Sequence, residues 1–343
     1  MKKKSNRTLI IAEIGPNHNG SLDIAKKMIK LLSKLDIDVI KFQLGNPNEV
    51  YSDDAFKAEY QKKNDKEKTI KKMSQKNQLK RSEHLKLSKL CRKKNIHYAC
   101  TAFDLQSLKF LDKKLKVPFF KISSGEVTSL DMINYISKQK KPIILSTGMS
   151  EFNEIKKIKR ILEKYNKNKI TILHCVSEYP AQIKNINLNI LDELKKRFKC
   201  DIGYSDHTIG EETCISAVAK GAKVIEKHVT LSKSMIGPDH KTSSTIKEFE
   251  ILVNKIRNVE KLLGHNKKKF SKEEIKIQLM AKKSCVTVND LKKNHVLKRG
   301  DVCFKRPGTG ISPLELNKIL GKRIVKDIKK NKVIEKKIIN FKK

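Results

Sequence analysis

The sequence predicts an α/β chain, a (β/α)8 barrel over residues 1–266 joined by a linker, 267–281, to a small β-rich module over 282–343. Three observations predict it. Eight short apolar runs alternate with amphipathic helical stretches over roughly 260 residues, the size of such a barrel. Polar residues cluster at the C-terminal ends of nearly every run: Glu13, Lys41, Thr101, Lys121, Ser146, His174, Ser205 and His228. After Met280 the alternation gives way to short β-like runs and glycine turns. A doubly wound open sheet is the alternative for the first part. A closed barrel gathers eight strand ends around one mouth, whereas an open sheet spreads them along an edge.

In chain order the strands fall at 9–14, 39–42, 97–103, 119–122, 143–146, 170–174, 201–204 and 223–229. Helical patterns lie between them at 24–35, 83–93, 107–111, 132–138, 154–165, 190–198 and 212–219. Ser21 caps the first helix, after the polar turn Gly15-Pro16-Asn17-His18-Asn19-Gly20. One connection is unusual. About forty polar, lysine-rich residues separate Gln43 from the helix near Glu83, and loops of that length are functional or disordered. This one, with Ala-Glu-Tyr-Gln at 58–61, is placed to cover the mouth. Past the linker, Val286-Thr287-Val288, Val302-Cys303-Phe304 and Ile324-Val325 are strand-like, with turns at Lys298-Arg299-Gly300-Asp301 and Pro307-Gly308-Thr309-Gly310. A module of about sixty residues is small to stand alone.

Composition narrows the function. Hydrophobic residues are 38% of the chain, enough for a core, which excludes global disorder. No apolar run approaches the length of a membrane span. Lys2, Lys3 and Lys4 give a basic start, but the run that follows is too short and too acidic for a signal peptide. The formal charge of +40 points towards nucleic acid, yet only nine of the 77 basic residues are arginine and there is no tryptophan. Bidentate base readers and one stacking platform are therefore scarce or missing. A solvated lysine-rich surface that attracts small anions accounts for the charge better than nucleic-acid binding does. The seven cysteines are odd in number and contain no Cys-x-x-Cys pair, as expected of reduced thiols in a cytoplasmic protein.

The strand ends carry the candidate chemistry. Glu13 is equally well a carboxylate bonded to turn amides or an acid–base group at the mouth. Lys41 and Lys121 each end an apolar run, and two lysines at equivalent ends point at one space and suit a phosphate or carboxylate. Ser123-Ser124-Gly125 and Ser146-Thr147-Gly148 follow the fourth and fifth strands, where small hydroxyl residues and glycine let backbone amides approach an anion. His207 and His228 lie at the seventh and eighth strands. They are either structural histidines or a pair that shares one metal ion with open positions, with Asp206 and Glu226 available to orient the rings.

Taken together these motifs resemble the sialic acid synthases. The resemblance rests on Ala-Glu-Ile-Gly at 12–15, Lys-Phe-Gln at 41–43, Lys-Ile-Ser-Ser-Gly-Glu at 121–126 and Leu-Ser-Thr-Gly-Met at 145–149. It continues with His-Cys-Val-Ser-Glu-Tyr-Pro at 174–180, Tyr-Ser-Asp-His-Thr at 204–208, Glu-Lys-His at 226–228 and Gly-Pro-Asp-His at 237–240. Lys-Arg-Pro-Gly-Thr-Gly at 305–310 resembles the signature of the family's C-terminal antifreeze-like (SAF) domain. The resemblance implies condensation of phosphoenolpyruvate with an N-acyl-mannosamine-type sugar to a nonulosonic acid, with phosphate released. It implies a divalent metal on His207 and His228, typically Mn2+, with Mg2+ or Co2+ as alternatives. Lys41, Thr101, Lys121, Ser124, Ser146, Ser177, Tyr179 and Ser205 would hold phosphoenolpyruvate. Glu13 and Glu126 would be the catalytic carboxylates, Gln43 and Asp239 would meet the sugar, and Arg306 would reach its acyl group from the partner in a swapped homodimer. Ser177 stands where some members carry asparagine. The Gly-Pro-Asp-His run resembles the neuraminate and legionaminate enzymes more than the pseudaminate ones. Other phosphoenolpyruvate-using barrel aldolases, and a basic anion- or nucleic-acid-binding protein, are the competing readings.

Overall fold

The structure is a computed structural model that describes residues 7–165 and 169–341. The basic start at Lys2–Lys4 lies outside the described residues. The chain divides into two compact units, Met1–Gly264 and His265–Lys343.

The first unit is a closed parallel barrel. Its strands are β1 (Leu9–Glu13), β2 (Val39–Leu44), β3 (His97–Ala102), β4 (Phe120–Ile122), β5 (Ile143–Ser146), β6 (Ile170–Cys175), β7 (Asp201–Asp206) and β8 (Val224–Thr230). They pair in sequence order, and β8 returns to β1. Glu13 thereby lies beside Lys41 on one side and His228 on the other. Closure excludes the open-sheet alternative. Each expected strand is present within two residues of its reading.

The helices follow their apolar stripes. In α1 (Leu22–Leu32), Ala25, Met28, Ile29 and Leu32 are buried on one face, and the Ser21 hydroxyl accepts the Ile24 amide at 3.3 Å to cap the first turn. The expected forty-residue loop folds into three short helices, α2 (Pro47–Val50), α3 (Glu59–Asn64) and α4 (Ile70–Lys76). What organises this polar stretch is a buried lysine: Lys57 Nζ donates to the Asp65 and Glu67 carbonyls at 2.9 Å each and pairs with Asp65 Oδ1 at 3.4 Å. The remaining barrel helices are α5 (Arg81–Lys93), α6 (Leu105–Phe110), α7 (Leu130–Ser137), α8 (Phe152–Lys164), α9 (Ile190–Phe198), α10 (Glu212–Ala219) and α11 (Ile246–Leu263). The two-residue β9 (Ser244–Thr245) extends beside β8 just before α11.

Two apolar layers hold the barrel. A large cluster fills the space between strands and helices. A smaller one, Ile11, Val39, Ala99, Phe119, Ile144, Leu173 and Val224, plugs the interior. Burial of one such side chain stabilises the fold by about 1.5–3 kcal/mol. On β7 the interior position is Gly203, where a Cβ would come 2.9 Å from Val224 Cβ, so the plug closes only around a glycine there.

The second unit opens with α12 (Lys272–Ala281), inside the stretch read as a linker; none of its residues is buried. β10 (Ser284–Thr287) and β11 (Val302–Lys305) then pair antiparallel. Ile324 bridges Ile339, and a separate core forms around Cys285, Leu297, Ile311, Ile319, Ile324 and Ile334. Among the described residues no helix is long and apolar enough to cross a membrane.

Candidate active site

Strand periodicity builds the site. Side chains alternate between the two faces of a strand, so the residue two places beyond each plug residue also faces the interior, nearer the mouth. Those positions are Glu13, Lys41, Thr101, Lys121, Ser146, Cys175 and Glu226, with Ser205 following Gly203. Two places further come Gln43, Ser123, Gly148, Ser177 and, just past β7 and on β8, His207 and His228. Apart from Gly148, both sets line one cavity of about 400 Å3. Ser124, Tyr179 and Asp239 reach it from the loops after β4, β6 and β8.

The floor is an alternating ion network. Lys41 Nζ is 2.7 Å from Glu13 Oε2 and 3.6 Å from Glu226 Oε2, and it donates to Thr101 Oγ1 at 3.0 Å. Lys121 Nζ is 3.4 Å from Glu226 Oε1 and donates to Ser146 Oγ at 2.7 Å. Ser205 Oγ donates to Glu226 Oε1 at 3.1 Å, and Gln43 Nε2 donates to Glu13 Oε1 at 2.8 Å. The four charged groups are at most 6% exposed. Two ammonium groups over a buried floor form a natural seat for an anion, tempered by two carboxylates already present.

The two carboxylates diverge. Burial pushes Glu13 up to about 7, with Lys41 opposing and Glu226 adding to the rise. Burial acts in the same sense on Glu226, but Lys121 and Lys41 outweigh it and hold that carboxyl low, at about 2. Burial also pulls Lys121 down, while for Lys41 the nearby carboxylates win and the ammonium is held above its ordinary value. Glu13 therefore suits proton exchange and Glu226 permanent charge. A carboxyl raised in the folded state binds a proton that the unfolded chain has lost, so its contribution is full below the ordinary carboxylate range and disappears as pH rises through about 7. Glu13 is accordingly expected to lower stability in urea over that window by at most about 1.4 kcal/mol per pH unit, and Glu13→Gln to remove that share while leaving the one from Asp239, which burial raises to about 6. An unchanged slope in the variant would assign the titration elsewhere.

A hydroxyl cradle flanks the lysines. Ser124 Oγ accepts the Gly148 amide at 2.9 Å, and a Cβ on Gly148 would collide with both Ser124 Oγ and Ser177 Oγ. Glycine is required there because the strand end passes directly beneath these hydroxyls.

The histidines stand side by side, ring centroids 5.6 Å apart. His207 Nδ1 donates to the Val176 carbonyl at 2.7 Å, and although burial opposes it, Cys175 raises the ring to about 8, so Nε2, 2.9 Å from Tyr179 OH, offers a lone pair once that proton is lost. His228 Nδ1 is buried without a hydrogen-bond partner, 3.7 Å from Asp239 Oδ2, and burial beside His207 holds its ring well below the ordinary value, hence neutral. Two imidazole lone pairs on neighbouring strands, one orphaned, fit a divalent cation with open positions. Among the described residues no group of three or more His, Cys, Asp or Glu could cage an ion, so one bound here would rest on these two rings.

A roof closes the mouth. Tyr60 of α3 stacks on Tyr179 at 4.9 Å, and Tyr179 stacks on His207 at 4.1 Å. Asn64 Nδ2 donates to the Pro238 carbonyl at 3.1 Å and its own carbonyl accepts the Gly237 amide at 3.2 Å, tying α3 to the loop that carries Asp239.

Most expected site residues thus meet in one cavity. Glu126 does not line it: the side chain accepts a short hydrogen bond from Ser129 Oγ. Arg306 belongs to the second unit, where it is exposed and its Nε donates to the Ala281 carbonyl at 2.8 Å. His174 is a correction. With Leu173 and Cys175 inward, alternation turns it outward, and its Nε2 bonds the Ile186 carbonyl at 2.6 Å. Sequence reasoning missed the central place of Glu226, read only as a ring-orienting group, and the inward thiol of Cys175. Counting two residues from each interior apolar position finds both.

The NeuB family profile matches residues 28–268, and the SAF domain profile matches residues 282–337. The N,N'-diacetyllegionaminic acid synthase of Campylobacter jejuni is 42% identical over 333 residues, 96% of this chain and 99% of that one. The pseudaminic acid synthase of the same organism is 32% identical over 334 residues, 94% of each chain. Among solved structures, the N-acetylneuraminic acid (sialic acid) synthetase of Leptospira borgpetersenii, in complex with citrate, aligns with a TM-score of 0.72 at 31% identity, covering 81% of this chain and 94% of its own.

Proposed function

The chain belongs to the NeuB family, and on that premise we propose that it is a cytoplasmic nonulosonic acid synthase that condenses phosphoenolpyruvate with an N-acyl-mannosamine-type sugar. The observation that carries this reading is the pair of buried lysines, Lys41 and Lys121, on the floor of the same cavity as the paired histidines. Lysines and hydroxyls suit the phosphate and carboxylate of phosphoenolpyruvate, and imidazoles above them suit a metal-assisted aldehyde.

Lys41, Lys121, Thr101, Ser124, Ser146, Ser177, Ser205 and Tyr179 hold phosphoenolpyruvate and keep its charge neutralised. Gln43 and Asp239 fix the sugar. A divalent cation on His207 and His228, Mn2+ in this reading, supplies Lewis-acid polarisation of the sugar aldehyde when bound. The methylene carbon of phosphoenolpyruvate bonds to the aldehyde carbon, water adds at the second carbon, and the C–O bond to phosphate breaks. Of the two candidate carboxylates, Glu13 lines the cavity and takes the proton from that water, an exchange its raised carboxyl suits. The active form is a swapped homodimer in which Arg306 of one copy meets the acyl group bound by the other.

We assign the product to the legionaminate class. Support comes from 42% identity to the legionaminic acid synthase, against 32% to the pseudaminic acid synthase of the same organism and 31% to the sialic acid synthetase, while the Gly237-Pro238-Asp239-His240 run separates the chain from the pseudaminate enzymes alone. The test is product analysis by mass spectrometry with phosphoenolpyruvate and a panel of hexosamines. A 2,4-diacetamido hexose of the manno series is expected to be consumed faster than N-acetylmannosamine, with phosphate released one for one, and Arg306→Ala to raise the sugar KM. Faster use of N-acetylmannosamine would move the product to neuraminate, and no phosphate release with any sugar would remove the synthase reading.

A further inference from the structure

We propose that the buried ion pair Asp206–Lys227, on the outer face of the barrel wall, is a positioning clamp that fixes the spacing of His207 and His228. The inference rests on the reading that these two histidines share a divalent cation.

The placement follows from alternation. Ser205 and Glu226 face inward, joined by their hydrogen bond on the floor. The next residues, Asp206 and Lys227, are partners in the β7–β8 register and face outward beneath α10. The residues after those are the two histidines, facing inward again. Each histidine thus follows directly on one half of the ion pair, and the pair joins the two strands at the last register position before the rings.

The bonds reach the residues on both sides of His207. Lys227 Nζ donates to Asp206 Oδ2 in a short ion pair and to the Thr208 carbonyl at 2.7 Å, so one ammonium holds the residues on both sides of His207. Asp206 Oδ1 accepts the Thr208 amide and the Thr208 hydroxyl, both at 2.9 Å. Cys214 Sγ of α10 donates to Asp206 Oδ2 at 3.2 Å, and Thr213 of α10 bonds the Thr208 hydroxyl at 2.8 Å. The His207 carbonyl in turn accepts the Ala181 amide at 2.9 Å, in the loop that carries Tyr179. Both members of the pair are at most 2% exposed. Apolar residues of similar volume would fill this space without the desolvation cost of two charges, so stability alone does not call for an ion pair here. What charges add is direction: a fixed angle and distance between adjacent strand ends, as outer partners do for groups that bind metal.

The test uses Lys227→Met and the double variant Asp206→Leu/Lys227→Met in the full chain. Mn2+ affinity is read from the spin-resonance signal of free Mn2+, phosphoenolpyruvate affinity by calorimetry without metal, and folding by thermal melting. We expect the Mn2+ Kd to rise by about tenfold to a hundredfold in the double variant while phosphoenolpyruvate affinity is kept. If the single variant does not fold, the double variant, which leaves no unpaired buried charge, decides. Wild-type Mn2+ affinity in a folded variant overturns the clamp alone. Equal losses for both ligands also overturn it, since they mark a general loosening. A wild-type chain that binds no Mn2+, like a His228→Ala control, overturns the reading of the histidine pair and the clamp with it.

Discussion

Replacing His228 with alanine, or stripping divalent metal with a chelator, is expected to lower turnover by about a thousandfold or more. The reason is the place of the orphaned Nδ1: it is buried, neutral and without a protein partner beside the second imidazole. Lewis-acid stabilisation of developing charge contributes several kcal/mol, and each ~1.4 kcal/mol is tenfold in rate. Added Mn2+ should restore the chelated enzyme and leave the variant inactive. Full turnover in a metal-free sample, verified by elemental analysis, would refute the role of the pair.

Lys41→Met is expected to produce the second large effect, on binding and stability together. The side chain keeps nearly the same length but removes the cation that lies between Glu13 and Glu226. A charge-assisted contact is worth about 1.5–3 kcal/mol, so phosphoenolpyruvate affinity should fall about tenfold to a hundredfold. Breaking a buried pair costs about 3–5 kcal/mol of stability. Glu13 can relieve part of this by holding its proton, which its raised carboxyl already favours, so the destabilisation should be larger above neutral pH than below it. Calorimetry and urea unfolding at two pH values check both parts. Unchanged phosphoenolpyruvate binding would place Lys41 outside the anion seat.

The barrel was legible because its two periods are clean. The strands and the seven helices between them are where the apolar patterns put them, to within a few residues. α11 follows the last strand and so lay outside the alternation that revealed the others. The helices α2 to α4 were not legible: the stretch is polar, and it is organised by Lys57 reaching back to backbone carbonyls rather than by an apolar stripe. α12 was hidden for the related reason that it buries no side chain. In the site, Lys41, Lys121, His207 and His228 stood out as polar residues ending apolar runs. Glu226 was masked by its neighbours, since Glu-Lys-His gives three polar residues in a row and only the facing of the strand says which two look inward. The outward turn of His174 has the same origin, one residue of parity.

The β1–β8 pairing has a consequence for how this protein is made. Glu13 lies on the first strand of the ring, yet its register neighbour His228 belongs to the last. Such a distant contact forms late, because the chain must close a long loop before the contact stabilises anything. Until then β1 presents an unpaired edge on one side and β7 on the other, the condition in which nascent α/β chains associate wrongly. Catalytic competence therefore cannot build up gradually during synthesis. A polypeptide halted just before β8 has the lysines and the serines but no ring to gather them, and it is expected to be inactive.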